Sequence, residues 1–329
     1  MPRRESGELL GTTSAAGGKA MSSPSTAARE PGAKAGAEAA IAQAARAARA
    51  AAAGRNDAIH GPAAIGVPLR RFAALVWTIA VSDFKLRFYG SALGYLWQLV
   101  HPLLLFGVLY LFFTQILRFP DVEFYPVVLL QGIVVFTFLS QATSGAVGSL
   151  VEKEILVRKI QFPRLAVPFS VVLTAFFTLA MNYVVVFLFL LIQGGGPHLT
   201  WLWELPLMLL ALTVLATAIA SLLAALYVRY RDVRPIWEVV LQALYFVSLV
   251  LIPIEAVTND TLAKLLLLNP FACIVQQLRH AVVDPSAPST LDVLGDPLLL
   301  AIPIAIFAVI VIVAFRTFDR MAPKIAEEL

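Results

Sequence analysis

The chain has 329 residues, 59% hydrophobic and 14% charged, with a mean hydropathy of +0.81. Soluble domains carry about 25% charged residues, so composition excludes an ordinary soluble protein and predicts an integral membrane protein. The net charge of +4 reflects basic residues that flank apolar stretches, which topology explains without nucleic acid.

Residues 1–66 are rich in Ala, Gly, Ser and Pro, and 37–53 is mostly Ala with Arg46 and Arg49. This stretch lacks the apolar run of a signal peptide. It also has too little apolar surface to offset the entropy of ordering. A disordered Ala-rich cytoplasmic extension is expected, with an Ala-rich helix within 37–53; a partner-docking arm is the other reading. A P-loop needs Gly, four residues, then Gly-Lys-Ser/Thr. The nearest match, Gly18-Lys19-Ala20, has Thr13 in the first Gly position and no hydroxyl after the lysine. Any ATP chemistry is therefore expected on another chain.

In residues 67–90, Phe72, Leu75, Val76 and Ile79 recur at i, i+3, i+4 and i+7. Arg71, Thr78, Ser82 and Lys85 take a separate face. This pattern predicts an amphipathic interfacial helix lying on the membrane. Asp83 and the tight junction Tyr89-Gly90-Ser91 separate it from the first long apolar stretch.

Six such stretches occupy about 91–117, 124–150, 165–192, 203–227, 235–254 and 297–315. Each can cross a hydrocarbon core of about 30 Å, which takes roughly 20 helical residues. They show no strand alternation, so an all-α fold with six transmembrane helices is expected. Six crossings put both ends on one side. That side holds fourteen Lys and Arg: Arg70, Arg71, Lys85, Arg87, Lys153, Arg158, Lys159, Arg164, Arg229, Arg231, Arg234, Arg316, Arg320 and Lys324. The other side holds three, Arg118, Lys264 and Arg279. The positive-inside rule then places both termini in the cytoplasm.

The loops carry further signals. Gly194-Gly195-Gly196-Pro197 reads as a turn, with Trp201 and Trp203 at the level of an aromatic belt. Within 255–296, Asn269-Pro270 reads as an N-cap with Pro at the first helical position. Short helices at about 261–268 and 271–283 would form a hairpin in the outer leaflet between the fifth and sixth spans. Between the second and third spans, Val151, Ile155, Leu156 and Ile160 form an apolar stripe, and Glu154 to Arg158 is a favourable i,i+4 pair. A helix over 151–162, ended by Pro163, suits either docking into a groove of another protein or an ordinary membrane-edge loop. Arg231-Asp232 lies in a tight basic loop after the fourth span.

The polar inventory inside the spans is thin: Glu204 at one end of the fourth and Glu238 early in the fifth. Ion-coupled carriers place ionisable residues at mid-membrane, which argues against that class. Cys273 is the single cysteine, which excludes a disulfide framework. His60, His101, His198 and His280 are too scattered for a zinc site. Aromatic residues are the other feature: Tyr95, Phe106, Tyr110 and Phe113 on one face of the first span, and Trp237, Tyr245 and Phe246 in the fifth. Such rings either stack on sugar faces along a path or pack helices together.

Five ordered stretches resemble the membrane subunit of ABC-2-type polysaccharide exporters, which move O-antigen, teichoic acid or cell-wall galactan. They are 84–119, 152–164 (EKEILVRKIQFPR), Arg231-Asp232-Val233, Leu268-Asn269-Pro270-Phe271 and the tail 315–329. The resemblance covers about 68–329 and implies a homodimer with a channel at its axis. It also implies two ATPase subunits on the cytoplasmic face, which hold ATP and its magnesium; no cofactor falls to this chain. It makes 151–162 a coupling helix, with Glu152, Lys153, Glu154, Arg158, Lys159, Arg231 and Asp232 facing the ATPase. Tyr95, Phe106, Tyr110, Phe113, Tyr245 and Phe246 would line the channel. The cargo would be a glycan on polyprenyl diphosphate, met at the interface by Arg70, Arg71, Lys85 and Arg87, residues that equally suit anionic lipid. The hairpin 255–285 would cover the outer mouth. A permease for a drug or small lipid shares this architecture. A transferase acting on polyprenyl lipids is the reading from a different class, with Glu238 and Asp232 as its carboxylates.

Overall fold

The computed structural model describes residues 68–88, 94–116, 123–157 and 162–328. The expected extension over 1–66 and its Ala-rich helix lie outside these residues. Among the described residues all regular structure is helical.

The first helix, α1, spans Leu69–Phe88. The second, α2, spans Gly94–Leu111 and continues as a π turn over Phe112–Ile116. Next come α3 (Tyr125–Val147), α4 (Ser149–Glu152), α5 (Glu154–Val157), α6 (Ala166–Ile192), α7 (Glu204–Arg229) and α8 (Val233–Val247). The chain ends with α9 (Asp260–Leu266), α10 (Pro270–Leu278), which runs into a π turn over Arg279–Val283, α11 (Thr290–Leu294) and α12 (Pro297–Glu328).

Five helical stretches are long and apolar enough to cross a membrane: Leu96–Ile116, Tyr125–Val147, Ala166–Ile192, Glu204–Arg229 and Pro297–Pro323. The fifth expected span departs from a continuous helix. Its helical part, α8, has 15 residues, or about 22 Å at 1.5 Å per residue. Contacts with α3 show how the crossing is completed. Trp237 Nε1 donates to Thr143 Oγ1 at 2.9 Å, and Tyr245 packs on Phe136 at 4.7 Å. The Val250 carbonyl sits over Gly132, and Tyr125 donates from its hydroxyl to the Leu251 carbonyl at 3.3 Å. The segment thus runs antiparallel to α3 from Thr143 to Tyr125, helical first and then irregular. Non-helical backbone is tolerated at membrane depth only when enclosed by protein. Ser248, Leu249, Val250 and Leu251 meet that condition, since all four are buried. Leu249 adopts φ 56°, which turns the chain out of the helix.

Two apolar clusters hold the bundle. The larger joins α3, α6, α7 and α10, with Leu129, Leu139, Val186, Leu212 and Leu278 fully enclosed. Lipid is as apolar as leucine, so close backbone approach must supply the attraction between helices. Ala216, Ala220 and Ala224 recur every fourth residue on α7, each with no exposed surface. The second cluster gathers Phe72, Leu150, Val157, Leu165, Ala224, Val228, Phe318 and Ile325 at one end of the molecule. The start of α1, the α3–α6 loop, the end of α7 and the end of α12 therefore lie together. This arrangement agrees with an even number of crossings between α2 and α12.

The amphipathic helix forms as expected, with Phe72, Val76 and Ala80 buried. It packs lengthwise rather than lying apart from the bundle. Phe72 meets Phe169 at 5.4 Å, Ala80 accepts from Thr174 Oγ1 at 3.2 Å, and Phe84 meets Phe177 at 5.6 Å. Over these contacts α1 climbs eight residues of α6, about 12 Å.

The hairpin also forms. Asn259 caps α9 and Asn269 caps α10, with Pro270 at the first helical position. The two arms meet at 103°. The second arm is a core element: Phe271, Leu278, Ala281 and Val282 are buried against α3 and α7. Asn269 Nδ2 donates to Ser248 Oγ at 2.9 Å, tying the bend to the irregular part of the fifth crossing.

Candidate functional site

The helix expected over 151–162 is broken, not continuous, where the structure describes it. Lys153 separates the single-turn helices α4 and α5, and residues 158–161, with Arg158, Lys159 and Ile160, lie outside the described residues. The expected stripe does not form a buried face: Val151 and Leu156 are half-buried and Ile155 is 81% exposed. The second cluster instead buries Leu150 and Val157, which lie outside that stripe. Lys153 does not face outward; its ammonium pairs with Asp83 of α1.

The fold brings the two basic loops together. Arg234 at the start of α8 approaches Glu152 Oε1 at 4.0 Å. Both side chains crowd Gly148, where a Cβ would stand 3.0 Å from each. Arg231 lies over the Tyr227 ring at 4.8 Å and Arg234 over the same ring at 5.6 Å. A cation near a ring face is held by the ring quadrupole, so Tyr227 fixes both guanidinium groups. Arg231 and Asp232 are exposed beside them. Sequence reasoning placed Arg234 only among the topology-setting charges. Its i,i+3 spacing from Arg231 was legible, but its proximity to Glu152, 82 positions away, was not.

The aromatic residues separate into two groups. Phe106 and Phe113 are turned into the protomer's own core. Phe106 stacks on Tyr110 at 5.6 Å and meets Phe189 of α6 edge-on at 5.7 Å. The Tyr95 side chain lies outside the described set. Tyr245 is half-buried on Phe136, whereas Phe246 is 71% exposed. Phe246 belongs to a broad outward face of α8 with Ile236, Val239 and Val247, and Glu238 and Gln242 lie on the same face. On α2, Leu104, Leu105, Val108 and Phe112 also face outward.

The four basic residues of α1 are exposed but form no single cluster. Fifteen residues separate Arg70 from Lys85, about 22 Å of helix. One diphosphate can meet only one of the two pairs, Arg70 with Arg71 or Lys85 with Arg87. At the opposite end, Arg279 is buried and pairs with Glu255 at 2.5 Å. Lys264 pairs with Asp260 at 2.9 Å. Two of the three basic residues on this side are thus neutralised in place. Glu204 is buried and accepts from Gln277 Nε2 at 3.0 Å. Among the described residues no cluster of His, Cys, Asp or Glu could hold a metal ion.

The ABC-2 type transporter family profile matches residues 74–283. An O-antigen export system permease protein, RfbA, of Klebsiella pneumoniae is 22% identical over 255 residues, 78% of this chain and 95% of the relative. RfbA of Myxococcus xanthus is 24% identical over 263 residues, 79% and 97% of the two chains. The polysialic acid transport protein KpsM of Escherichia coli is 25% identical over 218 residues, 63% and 81%. The matched region runs from the first cluster-forming helix through both arms of the hairpin, so this multi-pass membrane chain belongs to the ABC-2 type transporter family.

Proposed function

We propose that the chain is the permease subunit of an exporter that moves a lipid-linked polysaccharide across the bacterial cytoplasmic membrane, with both termini in the cytoplasm. ATP, bound with magnesium and hydrolysed on a separate ABC subunit, drives transport. The observation that carries this reading is the match to O-antigen export permeases over 95% and 97% of their own length. The charge asymmetry between the two ends supports the orientation. Docking of the ATPase falls to the end that carries exposed Ile155 and Asp232 and the charges that meet there, Glu152 with Arg234 and Arg231 over Tyr227.

Phe106 and Phe113 fill the core of one copy among the described residues, so they do not line a path within it. Two copies facing each other through α2 and α8 would supply one. The outward α8 face with Phe246, Glu238 and Gln242 is otherwise unexplained on a lipid-facing helix, since polar groups in hydrocarbon are costly. In this arrangement the exposed pair Lys85 and Arg87, nearest α2, meets the diphosphate of the carrier by charge-assisted contacts. Arg70 and Arg71 meet anionic headgroups.

Co-expression with the ATPase encoded nearest to it, followed by ATP hydrolysis in lipid nanodiscs, tests this reading. The expected result is no hydrolysis by the chain alone and hydrolysis by a stable two-plus-two complex. Failure to assemble with any ATPase, or hydrolysis by the chain alone, would overturn it.

A further inference from the structure

A cavity of about 360 Å³ lies between α7, α10, α11 and α12, on the hairpin side of the molecule. Its walls include Met208 and Ala211 of α7, Ile274 of α10, and Pro303, Ile304 and Phe307 of α12. Depth can be read from the two spans. Met208 and Ala211 lie four and seven residues into α7, about 6–10 Å from its end. Leu300 to Phe307 lie three to ten residues into α12, about 4–15 Å from its end. One leaflet of hydrocarbon is about 15 Å thick, half of the roughly 30 Å core, so the cavity sits within a single leaflet. Ile304 both lines it and is 59% exposed, which places the mouth on the outward face of α12, a membrane-spanning helix.

The polar groups in the wall decide what can occupy it. Gln277 donates from Nε2 to Glu204, and its Oε1 accepts from the Thr290 amide at 3.4 Å. Thr290 Oγ1 donates to the Cys273 carbonyl at 3.3 Å. The Cys273 thiol donates to the Leu267 carbonyl at 2.8 Å. Each of these groups already has a partner within the protein, and the rest of the wall is apolar, so the lining favours an apolar occupant over a polar ligand. An apolar cavity of about 150 Å³ already takes an aromatic hydrocarbon. This one is more than twice that size and opens onto acyl chains.

We propose that this cavity is a lipid site that takes one acyl chain of a glycerophospholipid from the leaflet on the hairpin side. The chain enters past Ile304 and lies under α11 against Ile274 and Phe307. Because α10 is also one arm of the hairpin, an occupied site braces the hairpin against α7 and α12. The proposal goes beyond the exporter reading and depends only on the chain spanning a membrane.

The test uses the full chain in nanodiscs of phosphatidylethanolamine and phosphatidylglycerol with a tracer phosphatidylcholine bearing a mid-chain diazirine. After irradiation, adducts are mapped by mass spectrometry. Adducts are expected to concentrate on the peptide holding Cys273 and Ile274 and at Phe307, above the level at the exposed positions Val309 and Val313. Ala211→Phe, which fills the cavity, is expected to abolish the cavity adducts while those at Val309 and Val313 persist, a built-in check on folding. In the parent chain, Cys273 is expected to resist a charged, water-borne methanethiosulfonate reagent. Rapid reaction with that reagent would show an aqueous cavity and overturn the proposal, as would adducts no denser at Cys273 than at Val309. Removal of the cavity adducts by unlabelled polyprenyl phosphate, but not by unlabelled phospholipid, would assign the site to the carrier and overturn the phospholipid assignment.

Discussion

The irregular end of the fifth crossing depends on one missing side chain, and Gly132→Ala tests that dependence. A Cβ at Gly132 would stand 2.6 Å from the Val250 carbonyl oxygen, 3.2 Å from Val250 Cα and 3.3 Å from its carbonyl carbon. All three atoms are backbone, so no rotamer change relieves the clash. Ordinary contact begins near 3.4 Å, so α3 and the 248–253 segment must part by nearly an ångström. That movement pulls on the bond from Tyr125 to Leu251 and opens the enclosure that protects the non-helical backbone. Overpacking of this kind costs about 1–3 kcal/mol. A rigid backbone neighbour puts the cost at the upper end, and the better helix propensity of Ala returns about 1 kcal/mol. The net loss of about 2 kcal/mol corresponds to roughly 4–8 °C in melting temperature. Thermal unfolding in detergent, read by fluorescence-detected size exclusion, measures it. Gly107→Ala in α2 is the matched control, because nothing lies within 4 Å of a Cβ there. A Gly132→Ala variant as stable as the parent would refute the seating of Val250 on α3.

The buried pair at the other end of the same segment makes a second expectation. Glu255→Gln strands the Arg279 charge and costs toward the lower end of about 3–5 kcal/mol, since Glu255 is partly exposed. Replacing both partners, as Arg279→Met with Glu255→Leu, is expected to recover much of that loss in the same thermal assay. Charge reversal at Glu154 is expected to lower export while the complex with the ATPase still assembles; normal export would remove the docking assignment. Deletion of residues 2–60 is expected to leave export largely intact, measured as surface glycan in a complemented strain. At α11, the Ser289 hydroxyl and backbone N–H donate to Asp292 and hold its carboxyl below the usual carboxylate range. The cap therefore strengthens α11 above the unfolded carboxylate pKa and is lost as pH falls through the lower folded value. Ser289→Ala is expected to speed amide exchange over 290–294 at neutral pH, where the parent is protected.

The sequence alone determined the class and the helical character, and it carries the expectation for the topology. Hydrophobic runs of spanning length and one-sided Lys and Arg depend only on how each segment partitions between water and lipid, a local property. The α1 helix and the Asn269-Pro270 start of α10 were legible for the same reason, because a 3.6-residue period and an N-cap are written within a few residues. Every feature set by a distant partner required the tertiary structure. Composition read 235–254 as one span, yet Gly132 and Tyr125 on α3 supply the enclosure that lets its last third leave the helix. Periodicity gave 151–162 a stripe of Val151, Ile155, Leu156 and Ile160, but the second cluster takes Leu150 and Val157 instead and leaves Ile155 outside. Lys153 and Glu152 looked alike as coupling charges until the fold gave one to Asp83 and brought the other to Arg234. Partitioning free energy is additive along a chain and can be read from it. Pairing and enclosure depend on which residues meet in space, and only the packed bundle fixes that.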